Sequence, residues 1–178
     1  MPVFVALLRA VNVGGTGKLP MSDLVAMAQA AGFQRVRTYI ASGNLVLESP
    51  GTEGQVKAAL EDALARYAGK PVGVMVRTAA EMAAVLDANP FPNRAPNHTV
   101  VVFLDASPPD NWRDGMVAPG GEEVRAGVRE FYIHYGEGMA RSKLRLPAAA
   151  EGTARNINTV TRLAAMAREQ AGKRDGGN

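Results

Sequence analysis

The apolar positions of this chain fall into short runs and stripes that predict alternating strands and helices. Residues 3–9 begin as an unbroken apolar run, with Val3, Val5 and Leu7 on one side of a strand and Phe4, Ala6 and Leu8 on the other. A strand apolar on both faces belongs in the middle of a sheet. Pro20 then opens a helix, where its missing N–H costs nothing. Met21, Leu24, Met27, Ala28 and Ala31 form the stripe of that helix, and Gly32 stops it. Residues 33–49 read as two strands around a turn at Ser42-Gly43-Asn44, since Gly and Asn tolerate positive φ. Val36, Thr38 and Ile40 share one face there, with Arg35, Arg37 and Tyr39 opposite. A second helix is predicted over 52–68 and a fourth strand around Val72, Val74 and Val76. The order β-α-β-β-α-β is the split βαβ of a ferredoxin-like sandwich.

Thr78-Ala-Ala-Glu81 has the form of a capping box and predicts a third helix. The stretch 89–98 holds three prolines and three asparagines, a composition that excludes a helix or a central strand. The second half then predicts a strand over 99–105 and a short helix after Pro108-Pro109 that carries Trp112. It continues with a strand pair over 122–127 and 130–135, a broken basic segment over 136–147, and a last helix starting near Thr153. The expected fold class is α+β, two ferredoxin-like (split βαβ-type) α/β sandwich halves packed together. The expected divisions are 1–90 for the first half with its connecting helix, 91–98 for the join and 99–178 for the second half.

Composition narrows the chemistry. A chain of 178 residues buries enough surface to need no covalent staple. It has no Cys, which excludes disulfides, thiolate nucleophiles and Cys-ligated zinc. No stretch approaches the ~20 apolar residues of a membrane span, and the first apolar run is too short for a signal sequence. A cytoplasmic protein with no membrane partner is expected. The net charge of +3 is uneven: residues from Met139 onward carry +5 and the remainder −2. A basic C-terminal segment on a near-neutral body attracts an anionic small molecule or nucleic acid, or else is a solvated helix face.

The segment VNVGGTGKLP, 11–20, sits between strand and helix, where phosphate loops occur. It fails the Walker pattern, with Asn12 in place of the first Gly and Leu19 in place of the hydroxyl residue. It fails the dinucleotide pattern as well, because Pro20 stands where the third Gly belongs. What remains is a loop whose backbone N–H groups can form an anion nest, or a turn that needs glycine for its geometry. In TARNINTV, 153–160, Thr153 reads as an N-cap. Arg155, Asn156, Asn158 and Thr159 crowd the first turns, so the segment either holds an anion or ties the helix to its neighbours. His98 and His134 are the only histidines, and no metal-ligand spacing is present. Ser142-Lys143 is not a catalytic pair, since neighbours on a strand point apart. The strand 3–8 faintly resembles one strand of an RNA-recognition motif, but residues 42–48 lack the stacking aromatics its partner needs.

Three segments, LLRAVNVGG (7–15), TYIASGN (38–44) and TARNINTV (153–160), together resemble the bacterial family called domain of unknown function 1697. The resemblance spans nearly the whole chain. It implies two α+β subdomains of ferredoxin-like character and no established activity. The family's first motif usually has Gly and Ile where this chain has Ala10 and Val11. Its second usually has Gln at Ala41, and its third often has an aromatic at Ile157. Arg9, Asn12, Gly14, Gly15, Tyr39, Ser42, Gly43, Asn44, Ser142, Arg155, Asn156 and Asn158 match.

In a split βαβ, strands 1 and 3 are antiparallel neighbours, so Arg9 and Asn12 should lie near Asn44. The expected ligand-binding residues are Arg9, Asn12, Gly14, Gly15, Tyr39, Ser42, Asn44, Arg155, Asn156 and Asn158, with no metal and no cofactor. Two alternatives stand beside this reading. In one, an uncharacterised metal-free enzyme uses Tyr39, Ser42 or His134 in the same cleft. In the other, the motifs are purely structural. Oligomeric state has no sequence signal.

Overall fold

The structure is a computed structural model that describes residues 1–11 and 18–175, the last two of these by their backbone alone. Among the described residues, two four-stranded antiparallel sheets, four α-helices and two short 3-10 helices make up the regular structure. The chain divides into two compact units, Met1–Ala83 with Leu163–Asn178, and Ala84–Arg162. The C-terminal residues thus group with the N-terminal sheet rather than with the sheet that precedes them. The physical reason is a set of hydrogen bonds: Arg37 donates to Gln170 Oε1 and Met166 O, and Gln170 Nε2 donates to Arg35 O and Glu48 Oε2.

In the first unit, β1 (Val3–Leu8), α1 (Met21–Ala30), β2 (Gln34–Thr38), β3 (Asn44–Glu48), α2 (Glu53–Ala68) and β4 (Val74–Thr78) follow the expected split βαβ order. The sheet runs β2-β3-β1-β4, with β1 central. Phe4, Ala6 and Leu8 face the side where Leu24 and Ala28 of α1 and Val56, Leu60 and Leu64 of α2 complete a core. Thr52 caps α2 through a reciprocal capping box with Gln55. Thr78 and Glu81 make the same exchange at the start of α3 (Ala79–Asp87). An irregularity between Gln34 and Arg37 puts Arg35 at φ +48 on the outer strand.

The second unit holds β5 (Thr99–Phe103), β6 (Glu123–Ala126), β7 (Glu130–His134) and β8 (Thr153–Asn156), in the order β6-β7-β5-β8. This strand order repeats that of the first unit. The core of its sheet joins Val100, Val102, Val124, Phe131 and Ile133 to Trp112, whose ring lies 5.2 Å from that of Phe131.

Two sequence expectations are corrected in this unit. The segment carrying Trp112 forms turns rather than a helix. The last helix, α4 (Ile157–Asp175), starts after Asn156, and the residues read as its first turn are strand β8. Thr153 and Arg155 are buried while Ala154 is exposed, an alternation that fits an edge strand paired to β5. Asn156, not Thr153, caps α4: its Oδ1 accepts from Asn158 N at 2.9 Å.

Candidate functional site

The end of β1 and the turn before β3 form the corner that the topology predicts. Leu7 pairs with Asn44 across the sheet, and Leu8 N donates to Gly43 O at 2.9 Å. Arg9 follows directly, half-buried, with its backbone N–H donated to Gly73 O. Asn44 is fully buried, and its Nδ2 donates to Tyr39 O and Ser42 Oγ, both at 2.8 Å. Its amide therefore braces the turn that contains it. Ile40 stands in the same turn at φ +51 and 52% exposed. A β-branched residue in that conformation is strained, and strain of this kind collects at working sites. Asn12, Gly14 and Gly15 lie outside the described residues.

The third motif belongs to the second unit. Arg155 is buried on β8, and its Nη1 donates to Thr153 Oγ1 at 2.6 Å and to Ala154 O at 2.9 Å. Burial pulls its guanidinium down to about 10. Asn156 Nδ2 donates to Asn97 O at 3.1 Å, so both ends of its amide are engaged locally. Asn158 is exposed on the first turn of α4. These contacts fit a strand and helix cap held in place.

Two of the cavities formed by the described residues lie elsewhere. The first, about 170 Å³, is lined by Arg35, Val36, Arg37, Gln170 and Lys173 in the first unit. Arg37 Nε donates to Gln170 Oε1 and its Nη2 to Met166 O, both at 3.0 Å. Arg35 Nε lies 3.2 Å from Glu48 Oε2, the carboxylate being fully buried. Gln170 Nε2 donates to the same oxygen at 3.0 Å. No contact among the described residues occupies Arg35 Nη1 and Nη2, Arg37 Nη1 or Lys173 Nζ. Sequence reasoning noted that Arg35 and Arg37 share a strand face but did not link them to Lys173, more than a hundred residues away.

The second cavity, about 520 Å³, lies in the second unit, with His98, Glu122, Tyr135, Arg141 and Ser142 among its lining residues. Ser142 Oγ donates to Glu122 Oε1 at 2.8 Å, and Gly120 N donates to Oε2 at 3.0 Å. The backbone N–H of Glu122 and the Ser142 hydroxyl hold that carboxyl below its ordinary value. Among the described residues no cluster of three or more His, Asp or Glu is placed to hold a metal ion, and no helix is long and apolar enough to cross a membrane.

His134 is buried, with Nδ1 3.2 Å from Thr99 Oγ1 and its ring 5.7 Å from Phe91. Thr99 Oγ1 donates its hydrogen to Ala95 O, so His134 Nδ1 is the donor to that hydroxyl. Burial lowers the His134 pKa, Arg94 and His98 lower it further, and Glu123 opposes them. A folded-state pKa below the unfolded value means that the unfolded chain takes up the proton first as pH falls. Stability should therefore decline as pH drops through about 6.5. A His134→Gln variant should show a shallower decline in urea midpoint between neutral and mildly acidic pH.

The family model "Protein of unknown function (DUF1697)" matches residues 1–132. No curated protein matches the chain. A solved structure, that of the conserved bacterial protein SP0830 from Streptococcus pneumoniae, has a TM-score of 0.75 and 21% identity, covering 93% of this chain and 98% of that one. At that identity the likeness shows the fold alone.

Proposed function

This chain belongs to the family of unknown function DUF1697, and from that premise we propose that it is a binding protein for a small anion. The anion is an inorganic oxyanion such as phosphate, or the carboxylate or phosphate end of a larger molecule, held between Arg35, Arg37 and Lys173. The charge of the first unit's cavity carries this reading. Three cations line it, and the carboxylate paired with Arg35, that of Glu48, also accepts from Gln170. Two guanidinium groups offer forked donors that match an oxyanion, and an ammonium adds a point charge. The volume of about 170 Å³ is below the ~300 Å³ at which organic-ligand pockets begin, so one small anionic group fits it.

The corner of Arg9, Tyr39, Ser42 and Asn44 enters this reading as the frame of the site. β2 carries Arg35 and Arg37 and leads directly into Tyr39, so a turn braced by Asn44 fixes the strand that presents both guanidinium groups. A single small cavity suits a small anion better than a nucleic-acid backbone, which needs an extended basic stripe.

Calorimetric titration of the full chain with inorganic phosphate, at low and high salt, tests the proposal. Binding should weaken as salt rises. Lys173→Glu changes an exposed side chain with no partner among the described residues. It should leave the thermal midpoint of the phosphate-free protein unchanged and weaken phosphate binding by about tenfold, equivalent to ~1.4 kcal/mol. Equal affinity in that variant overturns the site. Tighter binding of a short RNA than of phosphate, with the same dependence on Lys173, would replace the small anion by a nucleic acid.

A further inference from the structure

We propose that the cavity of the second unit is a separate binding site for a small organic amine that also carries an acidic group, as a free amino acid does. Its floor is built rather than incidental. Glu122 is fixed by Ser142 Oγ on one oxygen and Gly120 N on the other, with its own backbone N–H adding to the hold. Each carboxylate oxygen can accept more than one hydrogen bond, so the group still has acceptor capacity for an ammonium. Ser142 is held in turn, with its N–H donated to Met139 O and its Oγ accepting from Leu144 N. The segment behind it is pinned by the two-way backbone pairing of Val117 with Arg145.

Tyr135 sits on the same cavity and feels the charge of Glu122: burial, and after it that carboxylate, push its phenol up. An aromatic ring and a fixed carboxylate lining one cavity are a setting that attracts an ammonium group. Arg141 lines the cavity and is exposed, which provides a partner for an acidic group on the same ligand. His98 adds polarity whose direction is settled. Its Nδ1 lies 3.2 Å from Gly136 O, and a carbonyl cannot donate, so Nδ1 carries the hydrogen and Nε2 is the atom left for other contacts. The volume of about 520 Å³ falls within the ~300–1,000 Å³ of small-molecule pockets.

The lining charges separate this site from the anion site of the first unit. Glu122 and Glu137 outnumber Arg141 here, whereas three cations line the other cavity. The two proposals therefore fail independently.

The experiment is an amide NMR titration of the full chain with glutamate, lysine and glycylglycine, each alone, and with their N-acetyl counterparts acetylated at every amine. At least one free amine should shift the amide signals of residues 136–142 with saturation, and its acetylated form should bind about tenfold more weakly or not at all. Glu122→Gln keeps the shape of the side chain and removes its charge, and it should weaken the binding amine by about tenfold. Arg141→Ala, on an exposed side chain, should weaken the acid-bearing ligand while leaving methylamine unaffected. Lys173→Glu should change nothing at this site. The proposal is overturned if no free amine shifts those signals, if acetylated and free forms bind alike, or if both Glu122→Gln and Arg141→Ala retain full affinity.

Discussion

Gly43→Ala is expected to lower the stability of the first unit by about 3 kcal/mol, combining left-handed backbone strain with overpacking. Gly43 sits at φ +84, a conformation that L side chains rarely adopt. A Cβ there would meet Val11 Cγ2 at 2.6 Å and Leu8 Cβ at 2.8 Å. Leu8 cannot retreat, because its backbone N–H is donated to Gly43 O itself and it belongs to the buried central strand. Backbone strain and steric overlap thus act at one position. Urea unfolding measures the change, and a loss under about 1 kcal/mol would mean that the turn relaxes more easily than its packing implies. Ala10→Gly is the reverse experiment. Ala10 stands at φ +54 and is exposed, a conformation that glycine adopts without strain, so this change should stabilise the fold by up to about 1 kcal/mol.

Glu48→Gln should move stability and binding in opposite directions. Glu48 is fully buried and accepts from Gln170 while pairing with Arg35. Losing a buried charge partner commonly costs ~3 kcal/mol or more. Part of that is recovered here, because Arg35 is 44% exposed and can turn to water, and a Gln oxygen can still accept. A net loss of about 2 kcal/mol is the expected outcome. The same substitution removes the negative charge paired with Arg35 at the first cavity. If the anion sits there, phosphate should bind the variant several-fold more tightly. A variant that is less stable yet binds phosphate more tightly separates an electrostatic role in the site from general damage to the fold. Weaker binding would show that the anion is held elsewhere.

Much of this arrangement was legible in the chain. The doubly apolar run Val3–Leu8 marked the central strand, and the strand–helix order of the first half led to its sheet. The antiparallel logic of β1 and β3 set the end of β1 beside Asn44, and in the structure Leu7 is the residue paired with it. The second half was harder because neither crossover of its sheet holds an α-helix; one has turns and the other a three-residue 3-10 helix. Without a helical stripe, Pro108-Pro109 read as a helix start, while the chain makes turns there. β8 is four residues long, too short for its alternation to compete with the stronger helical stripe that follows.

Neither cavity had a local signature. Arg35 and Arg37 share a strand face by simple alternation, but Lys173 reaches them only because the end of α4 packs on the first sheet. Glu122 and Ser142 are joined through the Val117–Arg145 pairing, a long-range contact between two irregular segments. The residues singled out beforehand were the polar ones of the motifs. Several of them, Asn44, Arg155 and Asn156 above all, direct polar atoms to nearby backbone and side chains.

The central claim is that Arg35 and Arg37 hold an anion together with Lys173, and side-chain NMR of arginine reads this directly. Phosphate is titrated into the full chain while the Nε–H signals are followed, assigned through Arg35→Lys and Arg37→Lys variants. The account predicts that the Arg35 and Arg37 signals shift and saturate together, with a midpoint that rises with salt and rises again in Lys173→Glu. Saturable phosphate binding that leaves both signals in place, or no binding at low salt, would contradict it.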